Sequence, residues 1–299
     1  MAISINEAFV QQFANNVRHL AQQGDTRLRP HVQEVPLTGE AYNFDRLSAT
    51  NAVRKDTASG AGGETGRRVA TPFVDAPWTR RVVTPQTWQW ADTIENSDKV
   101  QMLIDPESSY SVNGGMAMRR SQDDLLIEAA TADAVDGGGT PVALPAAQIK
   151  GDGSTTFDLD FISEVNYQFQ ANDVDPDETK VFVISPIEVR QMLNDTSLTS
   201  ADYMAVKALS ANGMFPNFLG FTWILSNRLV ETTGSPGFRS CLAFTKRGIG
   251  LAVNQDIFVR IAERPDLSHL IQVYMEWTMG ATRVEDEHVV EARCSLTFV

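Results

Sequence analysis

The segment Thr79-Arg-Arg-Val-Val-Thr-Pro-Gln-Thr-Trp-Gln-Trp90 decides the fold, because its β-branched and aromatic residues favour extended structure. It closes a strand-like stretch that runs from Val69 to Trp90. A second strand-like stretch, Tyr42–Leu47, comes earlier, and between the two lies Lys55-Asp-Thr-Ala-Ser-Gly-Ala-Gly-Gly-Glu-Thr-Gly66, which is too rich in glycine to pack. This order predicts a long β-hairpin with a glycine-rich tip.

A hairpin of this kind is marginal in water when it stands alone. Nothing nearby in the chain obviously supplies a partner surface, so we expect the hairpin to be buried on another body. Deletion of residues 42–85 should then leave the rest of the chain folded.

Residues 4–23 have the pattern of an amphipathic helix. Ser4 and Glu7 form a predicted capping box, and Gly24 follows the last periodic position. The apolar positions recur at helical spacing and are Ile5, Phe9, Phe13, Val17 and Leu20. The pattern leaves two alternatives open: a helix packed on its own core, or an arm that docks elsewhere.

Residues 105–136 predict a long helix. Asp105 is a good N-cap, and Pro106 stands at the favoured first position. Asn113-Gly114-Gly115 should loosen or break the helix, and the glycines after Asp136 should end it. At ~1.5 Å per residue the whole run would span roughly 45 Å and cross the molecule.

The region from about 144 to 275 predicts mixed α and β structure. Asp160 should cap a helix that places Phe161, Val165 and Phe169 on one face. Residues 180–185 predict a buried strand, and Ser185-Pro186-Ile187-Glu188 predicts a capped helix directly after it. Further predicted elements are a helix over Ser200–Ala211 and strands near Phe221–Ser226, Ser240–Thr245, Ile257–Ile261, Leu270–Met279 and Glu287–Phe298.

Composition and charge exclude several classes of protein. The chain has 299 residues and is 42% hydrophobic, which excludes wholesale disorder, and no apolar run approaches the ~18 residues of a membrane span. The formal net charge of −13 should repel nucleic acid. The charge is uneven: residues 1–81 carry a net +2 and residues 82–299 a net −15, so the two parts are expected to meet different surroundings.

No motif in the sequence carries chemistry. The segment Gly60–Arg68 fails the phosphate-loop pattern at three positions: with Gly66 as the second glycine, Ala61 replaces the first glycine, Arg67 the lysine and Arg68 the serine or threonine. The acidic run Asp173–Glu178 lacks the central glycine and the bidentate glutamate of a calcium loop. His288 and its acidic neighbours could present at most two converging ligands on a strand. Cys241 and Cys294 are expected to be small core residues. We therefore expect no cofactor, no metal site and no catalysis.

The order of the predicted elements resembles that of the major capsid protein of tailed bacteriophages, the Hong-Kong-ninety-seven-like coat fold. The residues that carry the resemblance are Trp88–Trp90 leading through Asp105-Pro106 to Arg119–Asp124, then Val183–Pro186, Asn217–Asn227, and Gly280–Arg283 through Val289-Val290 to Cys294. The resemblance covers nearly the whole chain, and its specificity lies in the order and spacing of these pieces.

The resemblance implies an α+β fold with five segments. These are an N-terminal arm (1–38), an extended β-hairpin called the E-loop (39–90), a P-domain with a spine helix (91–144), an axial A-domain (145–275) and closing P-domain strands (276–299). It implies a subunit that assembles into pentamers and hexamers of an icosahedral shell. The shell would enclose double-stranded DNA without binding it specifically, in a virion assembled in the host bacterial cytoplasm.

The resemblance also implies partners and contact residues. Some relatives begin with a scaffolding domain of roughly a hundred residues; here the predicted helix starts at Ser4, so a separate scaffolding protein is expected. A portal protein and a decoration protein are further expected partners. The residues expected to contact a neighbouring copy are Phe9, Phe13, Arg54, Lys55, Arg67, Arg68, Trp78, Arg80 and Arg81.

Three alternatives qualify these expectations. Lys55 could form the cross-link that some relatives make, although a solvated lysine is the simpler interpretation. An encapsulin-type nanocompartment shell has the same fold and would enclose protein cargo instead of DNA. An unrelated alternative is an α/β enzyme with a hidden site in residues 145–275.

Overall fold

The computed structural model describes residues 21–52, 73–95, 106–194, 217–234 and 237–296. Within them the helices are α1 (Pro106–Thr131), α2 (Leu159–Ala171) and α3 (Pro186–Asn194). The strands are β1 (Gln33–Pro36), β2 (Tyr42–Leu47), β3 (Trp78–Val83), β4 (Gln86–Ile94), β5 (Ala134–Asp136), β6 (Pro141–Val142), β7 (Ile149–Lys150), β8 (Lys180–Ile184), β9 (Asn217–Phe218), β10 (Phe221–Leu225), β11 (Glu231–Thr232), β12 (Phe238–Thr245), β13 (Ile249–Arg264), β14 (Leu270–Arg283) and β15 (Val289–Ser295). The mixed α+β class predicted from the sequence is confirmed.

The first sheet has the strand order β1-β13-β14-β4. Its centre is a long antiparallel pair, in which β13 and β14 stay in register from Ile249 and Arg283 to Arg264 and Leu270, with two irregularities near Gln255. The sequence predicted shorter strands at Ile257–Ile261 and Leu270–Met279. Both strands extend further because each contributes to a shared core that alternation over a short window does not reveal.

Helix α1 crosses this sheet without interruption, so the predicted break at Asn113-Gly114-Gly115 is wrong. A Cβ atom on Gly114 would lie 2.5 Å from the ring of Trp90 and 3.0 Å from the Met275 sulfur. Glycine therefore allows the helix to approach the sheet closely, and packing outweighs its low helix propensity. The helix ends at Thr131 rather than near residue 136, where strand β5 has already formed.

The second sheet has the order β7-β15-β12-β8-β10-β9, with β11 paired to β12. The strand predicted over residues 180–185 is present as Lys180–Ile184 and is fully buried. Glu188 accepts a hydrogen bond from the backbone N–H of Ser185, which confirms the predicted capping box. The cap of α2 is Asp158, not Asp160: its carboxylate accepts from the Phe161 N–H at 2.8 Å. The aromatic core of this part consists of Phe157, Phe161, Phe169, Phe182, Phe221 and Trp223.

The third sheet contains the hairpin and has the order β2-β3-β5-β6. The strand predicted from Val69 to Trp90 is wrong as a single element: its hairpin part is Trp78–Val83, and after Thr84-Pro85 the chain continues as β4 in the first sheet. Proline lacks the N–H that a continuous strand would need there.

Strands β2 and β3 pair antiparallel from Tyr42 and Val83 to Leu47 and Trp78. The sequence near the hairpin showed no obvious partner surface, but a segment about 50 residues further along supplies one at its base: β5 pairs with β3 through Val82 and Arg81. Strand β5 has only three residues, which is too short for a periodic signal.

Several predictions fall outside the described residues: the helix at 4–20, the glycine-rich tip and the helix over Ser200–Ala211. Residues 21–23, the end of the first of these predictions, are not helical.

The final strand begins at Val289 rather than Glu287, after a 3₁₀ turn over Asp286–His288. In the described part of the chain, every helix is too short or too polar to cross a bilayer.

Candidate assembly interface

The hairpin has two chemically different faces. Residues opposite each other on an antiparallel pair point to the same side, so Tyr42, Phe44, Arg46, Thr79, Arg81 and Val83 form one face and Asn43, Asp45, Leu47, Trp78, Arg80 and Val82 form the other. We call them the inner and outer hairpin faces. Phe44, Arg81 and Val83 are buried, whereas most of the outer face is exposed. The hairpin therefore packs on its own chain through one face only.

The inner hairpin face packs into a small apolar cluster of its own. Phe44 and Val83 meet Leu37, Ala252 and Val284 there. A Cβ atom on Gly250 would overlap the Phe44 ring, so glycine at that position lets the ring lie directly on strand β13. The base of the hairpin is thereby anchored to the first sheet.

A buried ion network fixes the same base. The Asp286 carboxylate accepts a hydrogen bond from Arg81 Nη2 at 2.8 Å and another from Arg283 Nε at 2.6 Å. The exposed fraction of the side chain is 13% for Asp286, 4% for Arg81 and 0% for Arg283. Buried arginines need such a partner because an unpaired buried charge is costly. Asp286 therefore joins a strand of the hairpin sheet to a strand of the first sheet.

Arg283 extends this network to two more elements. Its Nη1 donates to the carbonyl of Ala132 at 2.7 Å, just after α1, and its Nη2 donates to the carbonyl of Val142 in β6 at 2.8 Å. Arg46 adds a bond from Nη1 to the Val284 carbonyl at 2.7 Å. Burial, followed by the nearby charge of Arg81, lowers the pKa of Arg46. Four elements thus meet at one point beneath the hairpin.

The outer hairpin face presents apolar side chains to solvent. Leu47 and Trp78 are a directly opposed pair and are 56% and 72% exposed. Phe73, five residues before Trp78, is 99% exposed, and Val74 is 49% exposed. Exposed apolar side chains that lie together, as the paired Leu47 and Trp78 do, are typical of a surface that another molecule covers.

Charged groups flank this apolar pair. Arg80 Nε lies 2.6 Å from Asp45 Oδ1, with both side chains about half exposed. The Asp45 carboxylate raises the pKa of Arg80 by hydrogen bonding.

Strand β2 is also the edge of its sheet and borders a groove of about 950 Å³ that includes Arg46, Arg247 and Glu287. The hairpin thus offers an apolar face, a polar rim and open backbone groups.

The structure separates the residues that the sequence singled out. Trp78 and Arg80 lie on the outer hairpin face, whereas Arg81 is buried in its own chain and paired with Asp286. Six others lie outside the described residues: Phe9, Phe13, Arg54, Lys55, Arg67 and Arg68. Sequence reasoning missed Leu47, although the alternation in Tyr42–Leu47 already places it opposite to Phe44.

The polar side chains around His288 form a small set of hydrogen bonds and ion pairs. His288 lies in a 3₁₀ turn, so the strand alternation that the sequence predicted for it does not apply. Its Nδ1 is 2.7 Å from Thr245 Oγ1, and its Nε2 is 3.1 Å from Glu285 Oε2. This contact with His288 holds the pKa of Glu285 below its usual range. Within the described ranges, no group of three or more His, Cys, Asp or Glu residues could hold a metal ion.

The two cysteines are core residues, as predicted. Cys241 and Cys294 are free and both are completely buried. Burial raises the pKa of the Cys241 thiol, so its reactive thiolate form is disfavoured. Neither cysteine is placed to act as a nucleophile.

Solved capsid structures have the same fold over nearly the whole chain. The capsid protein of cyanophage P-SCSP1u matches with a TM-score of 0.73 and 13% identity, covering 100% of this chain and 96% of that chain. A Mycobacterium phage Che8 chain matches with a TM-score of 0.70 and 17% identity (95% and 96% covered), and the capsid of Ralstonia phage GP4 with 0.72 and 12% (98% and 97%). The fold is therefore that of phage capsid proteins.

A family match identifies the chain more closely. Residues 5–296 match the family described as phage capsid protein, so the chain belongs to that family. It is a major capsid protein that forms the shell of a phage head, and its family and fold are those of a structural protein. The nanocompartment and enzyme alternatives are not favoured. No curated protein sequence matches the chain.

Proposed function

We propose that the outer hairpin face docks on a neighbouring copy of this chain and thereby drives closure of the head shell. The observation that carries the proposal is the exposed Leu47–Trp78 pair on a hairpin whose other face is already buried. A shell subunit has identical copies as its neighbours, and burial of these side chains removes apolar surface from water. The rim pair Arg80–Asp45 would orient the contact rather than strengthen it.

The proposed assembly is an icosahedral shell of pentamers and hexamers around double-stranded DNA. The proposed roles of the segments are an arm (1–38), a hairpin that reaches a neighbour (39–90), a P-domain (91–144 with 276–299) and an axial domain (145–275). The support is the family match over nearly the whole chain and the similarity to capsid structures over nearly their full length. A separate scaffolding protein, a portal protein and a decoration protein are the proposed partners, with assembly in the host cytoplasm.

The shell is proposed to act without catalysis and without gripping its DNA. The net charge of −13 disfavours adhesion to a polyanion. The described residues also hold no metal-binding cluster that could serve a reaction. Interface burial would replace chemistry as the working principle of the protein.

Substitution of Trp78 tests the docking role of the outer hairpin face. Trp78→Asp should abolish shells in electron micrographs of the expressed protein, because it places a charge in the proposed apolar contact. Trp78→Phe keeps an aromatic ring and should retain shells. Circular dichroism should be unchanged in both variants, since Trp78 is largely exposed in the subunit. Normal shells from Trp78→Asp would refute the proposal.

A further inference from the structure

Both strands of the hairpin attach to one short stretch of chain, residues 284–288. Arg46 of β2 donates to the Val284 carbonyl at 2.7 Å, and Arg81 of β3 donates to Asp286 Oδ2 at 2.8 Å. The Val284 side chain also belongs to the apolar cluster beneath the hairpin. Whatever fixes this stretch therefore fixes the base of the hairpin. We call residues 284–288 the hairpin floor.

His288 connects the hairpin floor to the second sheet. Its Nδ1 lies 2.7 Å from Thr245 Oγ1, at the end of β12. The His288 side chain is only 10% exposed, so protein rather than water surrounds the ring. The backbone packs closely here too, because a Cβ atom on Gly248 would lie 2.7 Å from the His288 carbonyl oxygen. The position of the floor relative to β12 thus depends on this one side chain and its contacts.

Two carboxylates from different elements face the His288 ring. Glu285 Oε2, in the hairpin floor, lies 3.1 Å from Nε2, and Glu178 Oε2, two residues before β8, lies 3.6 Å from Nδ1. A neutral imidazole has one N–H donor and one acceptor nitrogen, whereas an imidazolium donates from both nitrogens. A cation at this place would also gain Coulomb attraction from both carboxylates. The contacts therefore differ between the two charge states of the ring.

The carboxylate of Glu285 stays ionised while a histidine titrates. Its hydrogen bond with His288, together with the charges of Arg247 and Arg46, holds the pKa of Glu285 below its usual range. The ring therefore meets a full negative charge on this side throughout the range in which histidines change charge. The other charged groups around the ring are Arg46 of β2, Lys246 and Arg247 of the turn after β12, and Asp286 and Glu287 in the hairpin floor.

We propose that His288 is a pH-dependent lock for the base of the hairpin. In the protonated state the ring bridges Glu178 and Glu285 and holds the hairpin floor firmly against the second sheet. In the neutral state it keeps Thr245 and one carboxylate, and the floor is held less tightly. Because the cation has partners that the neutral ring lacks, protons stabilise the closed base, and this stability is lost as the pH rises through the histidine range.

The lock goes beyond the proposed docking of the outer hairpin face. It is made within one subunit and controls how firmly the hairpin is held before any neighbour is present. Its test therefore uses unassembled, full-length subunits. Loss of shells from Trp78→Asp would bear on the docking proposal alone, and the pH test bears on the lock alone.

Hydrogen exchange of the hairpin amides measures the lock. After correction for the intrinsic exchange rate, protection of peptides from Tyr42–Leu47 and Trp78–Val83 should fall about tenfold between pH 6 and pH 8, because the base opens more often. His288→Gln keeps a side chain that donates and accepts hydrogen bonds but cannot become charged. Protection in this variant should change by less than about twofold over the same range.

His269 supplies the matched control. Its Nδ1 lies 2.7 Å from Glu263 Oε1, so it also contacts a carboxylate, but both side chains are largely exposed. It precedes β14, at the opposite end of that strand from the hairpin floor. His269→Gln should keep the tenfold change of the wild-type subunit. His31, whose pKa is lowered by burial, is present in both variants and cancels in the comparison.

A second variant keeps the test sharp if His288→Gln perturbs the fold. Glu178→Gln retains the ring and removes one of its two carboxylates, so the change in protection should drop to about threefold or less. The same tenfold change in His288→Gln as in the wild-type subunit would overturn the proposal. So would a full tenfold change in Glu178→Gln, or a wild-type subunit whose hairpin protection does not depend on pH.

Discussion

The carboxylate of Asp286 lies between two buried arginines that belong to different sheets. Local sequence could not reveal this role, because Arg81 is 205 residues away along the chain. The sequence does show that Arg80 and Arg81 point to opposite faces of a strand. Only the packing of the hairpin on β13 decides that Arg81 is the buried one.

Substitution of Asp286 should therefore be costly. Asp286→Ala leaves Arg81 and Arg283 buried without their shared partner, and we expect a loss of about 3–5 kcal/mol in the free energy of unfolding. Urea denaturation of the unassembled subunit measures it. The control is Asp45→Ala, which removes the exposed partner of Arg80 and should cost far less, because solvent screens an exposed pair. Equal losses in the two variants would show that the buried network has no special role.

At the scale of elements, helix α1 shows how tertiary contacts override propensity. Two adjacent glycines predict a break, but only the fold shows that one of them faces the Trp90 ring and the other has open space around it. By contrast, the strand over residues 180–184 and the capping box after it were predictable, because both depend on neighbours in sequence.

The two glycines of α1 should respond oppositely to alanine. Gly115→Ala meets nothing within 4 Å and should stabilise the subunit by about 0.5–1 kcal/mol through helix propensity. Gly114→Ala should destabilise it by about 1–3 kcal/mol, because the new methyl group would overlap Trp90. Thermal unfolding of the two variants compares them directly. Stabilisation by both would mean that α1 does not approach the sheet this closely.

The hairpin is likewise only partly an independent element. Phe44, Arg81 and Val83 are buried in the body, so removal of residues 42–85 would open the apolar cluster and the ion network at its base. We therefore expect the remainder to keep most of its secondary structure, as the sequence predicted, but to be less stable than the whole subunit. The outer hairpin face is the part that can be altered without this cost.

At the scale of the whole molecule, the net charge differs between the first 81 residues and the rest of the chain. Residues 82–299 carry a net −15, against +2 for residues 1–81. In a shell, the near-neutral part of one copy can lie against the acidic body of the next without strong repulsion. The acidic body also favours a container that does not adhere to DNA.

The subunit should accordingly pass through a double-stranded DNA column without delay. At ~0.15 M salt, the long-range repulsion between the acidic protein and DNA is screened. The sequence also predicts no cluster of basic residues that would bind the phosphates, so we expect no attraction either. Elution volume compared with a blank column is the measurement. Retention that disappears as salt is raised would contradict the proposed lack of DNA binding.

The sequence by itself determined the order of most elements, a hairpin with Tyr42–Leu47 as its first strand, and the buried strand with its capped helix; it also contains no recognisable catalytic motif. These follow from periodicity, capping and composition, which act between near neighbours. Only the tertiary structure decided which hairpin face is buried, that α1 passes through its glycines unbroken, and that Asp286 joins two sheets. The physical reason is that burial, close approach and desolvation of charge arise between residues that meet only when the chain is folded.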